Sequence, residues 1–134
     1  VLEPLSGYMW LAKSLRENVS LSGQSFNFGP QTKKNYSVKE VAKLMSKKWK
    51  NVRWKIHKNK KNNFYESNLL RLNCNKANKL LKWKSTLDFK KTVDFTSEWY
   101  RSYYQDPKKT LMITKKQIEL YTRIAKNKKL AWAK

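Results

Sequence analysis

Asp94 and Glu98 stand four residues apart in "TVDFTSEWYRSYY", a spacing that puts two carboxylates on one face of a helix. Paired carboxylates can share acid–base work, one giving a proton and the other taking it. Lys90, Lys91 and Arg101 lie within helical reach, so a solvated ion-pair face is the better expectation. Trp99, Tyr100, Tyr103 and Tyr104 in the same stretch could stack bases, but at helical spacing they are expected in the core. Glu66 is placed differently. It follows Phe64-Tyr65 and precedes "NLLRL", which reads as buried extended backbone. An acid at such a junction can accept hydrogen bonds from a sugar or ribose hydroxyl; it can equally cap the junction or pair with a lysine.

Other chemistry is thinly supplied. His57 is the single histidine and Cys74 the single cysteine, which argues against a zinc site and a disulfide framework and fits a reducing cytoplasm. Three glycines cannot build a G-x-G-x-x-G or Walker loop. Asn18-Val19-Ser20 and Asn35-Tyr36-Ser37 match the glycosylation pattern, but no secretion signal accompanies them.

The elements that would position these residues follow from pattern. "VLEP" reads as a strand end, with Pro4 opening a helix whose inward face is Leu5, Tyr8, Met9, Ala12 and Leu15. Residues 18–24 form a turn with Gly23 at positive φ, and "SFNF" alternates as a strand that Gly29-Pro30 ends. "SVKE" at Ser37 to Glu40 is a capping box for a helix carrying Val38, Val41, Ala42, Leu44, Met45 and Trp49. "VRWKI", residues 52–56, alternates as a strand. Asn75 caps a short helix through Leu81, with Ala77, Leu80 and Leu81 inward, and Ser85 or Thr86 caps a longer one over 87–104, with Phe89, Val93, Thr96, Trp99, Tyr100 and Tyr103 buried. "TKKQ" at Thr114 to Gln117 opens a last helix with Ile118, Tyr121, Ile124 and Ala125 inward, and the tail after Lys126 frays. The predicted class is α/β: helix-rich with a few short strands, too few for a complete doubly wound sheet.

Composition bounds the setting. The chain has 134 residues, 40% of them hydrophobic and 13% aromatic, enough for a core. It opens on Val1 rather than Met, as a piece cut from a longer protein, or a processed one, would. No apolar run is long enough to cross a bilayer. Thirty-one Lys and Arg against nine Asp and Glu leave +22, a field that attracts polyanions. Only Arg16, Arg53, Arg71, Arg101 and Arg123 are arginine, and Lys with Asn is also what an AT-rich genome encodes, so nucleic acid is expected to be drawn by non-specific charge alone.

Four segments carry a resemblance: "VLEPLSGYMWLA", "FNFGP", "YESNLLRLNCNKANKLLKWKS" and "TVDFTSEWYRSYY". Together they resemble the C-terminal part of CDP-glucose 4,6-dehydratases, in the extended short-chain dehydrogenase/reductase superfamily. The third is similar to that family's His-Glu-Ala-x-x-Leu-x-Leu-Asp-x-Ser-Lys-Ala-x-x-x-Leu-Gly-Trp-x-Pro run, with Tyr65 where the pattern has His, Asn73 for Asp, Asn75 for Ser, Lys82 for Gly and Ser85 for Pro. The resemblance implies a lyase that converts CDP-glucose to CDP-4-dehydro-6-deoxyglucose for deoxysugar and lipopolysaccharide synthesis. It implies a homo-oligomer whose Rossmann domain, preceding Val1, holds NAD and a catalytic Tyr-x-x-x-Lys. Residues 1–123 would then be the sugar-nucleotide substrate-binding portion, without the Rossmann core, and 124–134 a basic helical tail. The chain alone would hold no catalytic residue and no cofactor. Asn27, Gly29, Gln31 and Thr32 are candidate cleft residues because ligands of α/β folds sit at the loop beyond a strand end. The resemblance adds Tyr65 and Glu66, with Asn63 near a phosphate-holding position. Another nucleotide-sugar epimerase or dehydratase, or a basic polyanion-binding module, are the alternatives.

Overall fold

A computed structural model describes residues 1–32, 34–55 and 72–134. Five α-helices organise them: α1 (Leu2–Glu17), α2 (Val38–Lys48), α3 (Asn75–Leu81), α4 (Phe89–Gln105) and α5 (Thr110–Asn127), with short 3-10 turns at Val19–Leu21, Pro107–Lys109 and Ala131–Ala133. Helix α4 is flanked by α2 and α5, while α1 packs against α3.

The capping box of α2 forms as its sequence dictates. The Glu40 backbone N–H donates to Ser37 Oγ (3.2 Å), and the Ser37 N–H donates back to Glu40 Oε2 (2.8 Å). Gly23 takes φ +72°, where only glycine is unstrained. The core gathers Leu21, Phe28, Ala77, Leu81 and Trp83, flanked by Trp10, Leu11, Leu15, Phe26 and Trp132. Trp83 is fully buried, and its indole N–H donates to Ser6 Oγ (3.2 Å). Trp10 donates from Nε1 to the Leu81 carbonyl (2.7 Å), which ties α1 to the end of α3. An indole carries one donor, and those of buried Trp83 and half-buried Trp10 are both satisfied.

Several expectations need correction. Among the described residues there is no β-strand, so the α/β expectation gives way to an all-helical arrangement. "SFNF" fails to pair because its alternation records one-sided burial: Phe28 is buried, Phe26 half-buried, and Ser25 and Asn27 exposed. Alternation specifies a face and leaves the partner strand unspecified. Residues 52–55 likewise form no strand, and Ile56 lies outside the described residues. "VLEP" is helical from Leu2; Pro4 sits in the first turn, where its missing N–H costs no hydrogen bond.

The face of α1 is also shifted: of the expected inward residues only Leu15 packs on the core. Tyr8 is 58% and Met9 75% exposed, and Leu5 and Ala12 are exposed too, while Ser6 and Gly7 are buried. Close packing decides the matter: a Cβ on Gly7 would stand 2.4 Å from the Phe28 ring, so only glycine admits Phe28 there. In α2, Val38 at the first position is 85% exposed, and in α3 Leu80 points outward. In α4 the buried side chains are Val93 and Ser97, Phe89 and Trp99 are half-buried, and Thr96, Tyr100 and Tyr103 are exposed. Helix α5 buries Tyr121 and Ala125 as expected, together with Ile113 and Gln117, while Ile124 is half-buried and Ile118 exposed.

The caps shift in the same local way. Asp88 caps α4, accepting from the Lys91 N–H (2.8 Å), and Cys74 rather than Asn75 occupies the α3 cap position, with Asn73 Oδ1 accepting from the Asn75 N–H (3.0 Å). Thr114 lies inside α5, where its hydroxyl donates to the Thr110 carbonyl (2.8 Å) and starts nothing. The tail does not fray. Lys129 turns through φ 52°, Leu130 is buried, and Trp132 stacks on Tyr121 at 5.5 Å.

Candidate functional site

The loop after Phe28 meets the start of α3, and a concavity of about 690 Å³ opens between them. Pro30 and Gln31 line it from the loop, residues 72–75 and Asn78 from α3 and its approach, and Lys84 from the turn after Trp83. The two walls are tied together. Asn27 Nδ2 donates to the Asn73 carbonyl (3.3 Å), and Gln31 Nε2 reaches the Trp83 carbonyl at 3.4 Å. Gly29 is buried, and a Cβ there would stand 3.3 Å from Cys74 Sγ and 3.6 Å from Leu72 Cδ1, so the backbone approaches the opposite wall closely.

The candidate residues divide accordingly. Gln31 lines the concavity, while Asn27 and Gly29 hold its walls together. Thr32 is half-buried and is not among the described lining residues; its Oγ1 accepts from the Lys34 N–H at 3.1 Å. Asn63, Tyr65 and Glu66 lie outside the described residues, as does His57. Asn73, Asn75, Asn78 and Lys84 enter from the structure alone. The signal for the first three was the asparagine at every second or third position of "LNCNKAN", which the sequence read only as a cap. Among the described lining residues the polar groups are amides and one ammonium, with no carboxylate or imidazole. Such walls can donate to and accept from hydroxyls and can neutralise a phosphate; they offer no acid–base pair.

Asp94 and Glu98 are placed differently from their expected partners. Asp94 Oδ1 pairs with Lys48 Nζ of α2 at 2.9 Å, and Glu98 Oε2 accepts from Gln117 Nε2 of α5 at 3.3 Å. The two acids therefore join α4 to its flanking helices. A smaller recess of about 200 Å³ lies here, lined by both acids with Lys48, Ser97 and Arg101. Among the described residues no group of three His, Cys, Asp or Glu side chains could hold a metal ion. No described helix is long and apolar enough to cross a membrane.

Behind the concavity sits an acid that sequence reasoning missed. Glu3, in the first turn of α1, accepts from the backbone N–H of Thr86 (3.0 and 2.9 Å) and of Leu87 (2.6 Å), and from the Tyr121 hydroxyl (3.1 Å). Tyr121 also bonds Ser6 Oγ at 3.0 Å, and Lys128 Nζ donates to the Thr86 carbonyl at 2.7 Å. Burial pushes the Tyr121 hydroxyl up to about 12, and the Glu3 carboxylate adds to the shift. This cluster fixes the turn that carries Lys84 into the concavity.

Over 122 residues, 90% of its length, the chain is 28% identical to CDP-glucose 4,6-dehydratase of Salmonella typhimurium. It spans 33% of that protein, in its C-terminal region. This supports a distant relationship to that enzyme family. No family model matches the chain, and no solved structure matches it.

Proposed function

We propose that the chain is the sugar-nucleotide-binding part of an enzyme of the CDP-glucose 4,6-dehydratase kind. The observation that carries this is the concavity between the 27–31 loop and the start of α3, whose amides and the Lys84 ammonium suit hydroxyls and a phosphate. The distant match to a dehydratase over most of the chain supports it. Gln31, Asn73, Asn75 and Asn78 would take sugar or ribose hydroxyls, and Lys84 a phosphate oxygen. Hydride transfer and water elimination would be done by the rest of such an enzyme together with NAD. The three glycines of this chain are committed elsewhere: Gly7 against Phe28, Gly23 in a turn and Gly29 against Cys74, so they form no cradle for a dinucleotide. In this reading the outward residues of α1, among them Tyr8 and Met9, are covered by the remainder of the enzyme, of which the relative has twice as much again.

The test is an amide chemical-shift titration of the chain with CDP-glucose, CDP and glucose 1-phosphate. Saturable shifts should centre on Gln31, Asn73, Asn75 and Asn78, and Lys84→Ala should weaken CDP and CDP-glucose together. Shifts that avoid these residues, or a Lys84→Ala variant that binds both ligands unchanged, would overturn the assignment.

A further inference from the structure

Sequence periodicity placed Tyr100, Tyr103 and Tyr104 of α4 in the core with Trp99, and the structure leaves those three tyrosines exposed while Trp99 stays half-buried. Tyr100 is 45%, Tyr103 41% and Tyr104 68% exposed. They belong to an unbroken path of five rings. Trp49, at the end of α2, lies 5.4 Å from Tyr104; Tyr104 lies 5.4 Å from Tyr103; Tyr103 stacks within 6° of parallel on Trp99 at 5.6 Å; and Trp99 meets Tyr100 edge-on at 5.2 Å. Trp99 is held in place by its indole N–H, which donates to Thr114 Oγ1 of α5 at 2.8 Å. The path is thus a fixed platform with its outer rings open to solvent.

Charge around this platform is mostly positive, with Asp94 and Glu98 confined to the recess beside Lys48 and Arg101. Residues 47–55 and 99–109, which carry the rings, hold Lys47, Lys48, Lys50, Arg53, Lys55, Arg101, Lys108 and Lys109, all exposed, against Asp106 alone. Among the described residues only Lys48 and Lys109 of these eight are ion-paired, with Asp94 and Asp106. Arg101 falls between Tyr100 and Tyr103 in the sequence, so cation and rings alternate at the end of one helix. A charge-only surface needs no rings, and a buried aromatic stripe needs no cations. The two together match a ligand that carries flat π faces on an anionic backbone.

We propose that the end of α4, with Trp49, forms a binding platform for single-stranded nucleic acid, with bases stacked on Tyr100, Tyr103 and Tyr104 and phosphates held by the surrounding Lys and Arg. This surface is separate from the concavity at α3 and does not depend on what that concavity binds. Because stacking accepts any base, the platform would be indifferent to sequence and its affinity would fall as salt rises.

The experiment titrates the chain with an oligothymidylate, with an abasic oligomer of equal length and charge, and with anionic phospholipid vesicles, following tryptophan fluorescence across a salt series. The thymidylate should quench saturably and bind at least about tenfold tighter than the abasic oligomer. Tyr104→Ala and Tyr100→Ala, at exposed positions, should each remove most of that preference, leave abasic binding in place and leave the melting curve unchanged. Equal affinity for the two oligomers would reduce the interaction to charge and overturn the proposal. Binding to vesicles with none to the oligomers would overturn it in favour of a membrane surface.

Discussion

Glu3 shows how much of this molecule rests on one side chain. Its two oxygens accept from two backbone N–H groups and a buried phenol, and these partners lie 83, 84 and 118 residues away. Glu3→Gln keeps the shape but turns one acceptor into a donor aimed at other donors. Hydrogen bonds to a charged group are worth about 1.5–3 kcal/mol, so a loss near the middle of that range is expected in urea unfolding. Tyr121 offers a second check. Its hydroxyl is raised from 10.0 to about 12. The folded state therefore holds this proton more tightly than the unfolded chain. The stabilisation is whole below pH 10 and is lost as the pH rises from 10 towards 12. Difference absorbance between the parent and Tyr121→Phe should show one phenol ionising near pH 12, and the variant should lose less stability across that window. Neither residue was legible as important beforehand. An acid in a first helical turn and a tyrosine on a helical stripe are commonplace, and only distant partners give them their roles.

Element boundaries were legible where their cause is local. The α2 capping box needs only Ser37 and Glu40, three residues apart, and it forms as the sequence implies. Its hydrogen bonds also lower the Glu40 pKa, the Ser37 backbone N–H first and the Ser37 side chain next. A lowered carboxyl contributes stability above its unfolded value of 4.5 that is lost as pH falls through the folded one. Amide protection in the first turn of α2 should therefore weaken on acidification, and Glu40→Gln should remove that dependence. Ser37→Ala should cost about 1 kcal/mol at neutral pH. The start of α4 was less legible because Ser85, Thr86 and Asp88 are all competent caps within four positions. The structure uses Asp88, while Thr86 is fully buried in the turn before it, its N–H donating to Glu3. The face of α1 was misjudged for a similar reason: an apolar stripe was visible, but the contact was made by Ser6 and Gly7, which let Trp83 and Phe28 approach. The concavity was legible on one side only, as the Gln31 loop; the asparagine wall needed α3 to be placed against it.

At the scale of the whole molecule, the last residues close what the first ones begin. Leu130 is buried, Trp132 stacks on Tyr121 and donates to the Lys84 carbonyl (3.3 Å), and Tyr121 in turn bonds Glu3 and Ser6. Removing residues 130–134 should cost about 3 kcal/mol, chiefly the burial of Leu130 and the Trp132 ring. The loss should be visible as a lower melting temperature and as perturbed Lys84 and Thr86 amides. The lysine coat gave no hint of this, because charge describes what a surface attracts and leaves the packing beneath it unspecified. The same seam sets an order on vectorial synthesis. Whatever is made before helix α1, its Glu3 must wait 118 residues for the Tyr121 phenol and longer still for the indole that covers that phenol. Until then the nascent chain carries an unclosed carboxylate, and the native packing of this seam becomes reachable only once Trp132 has been made.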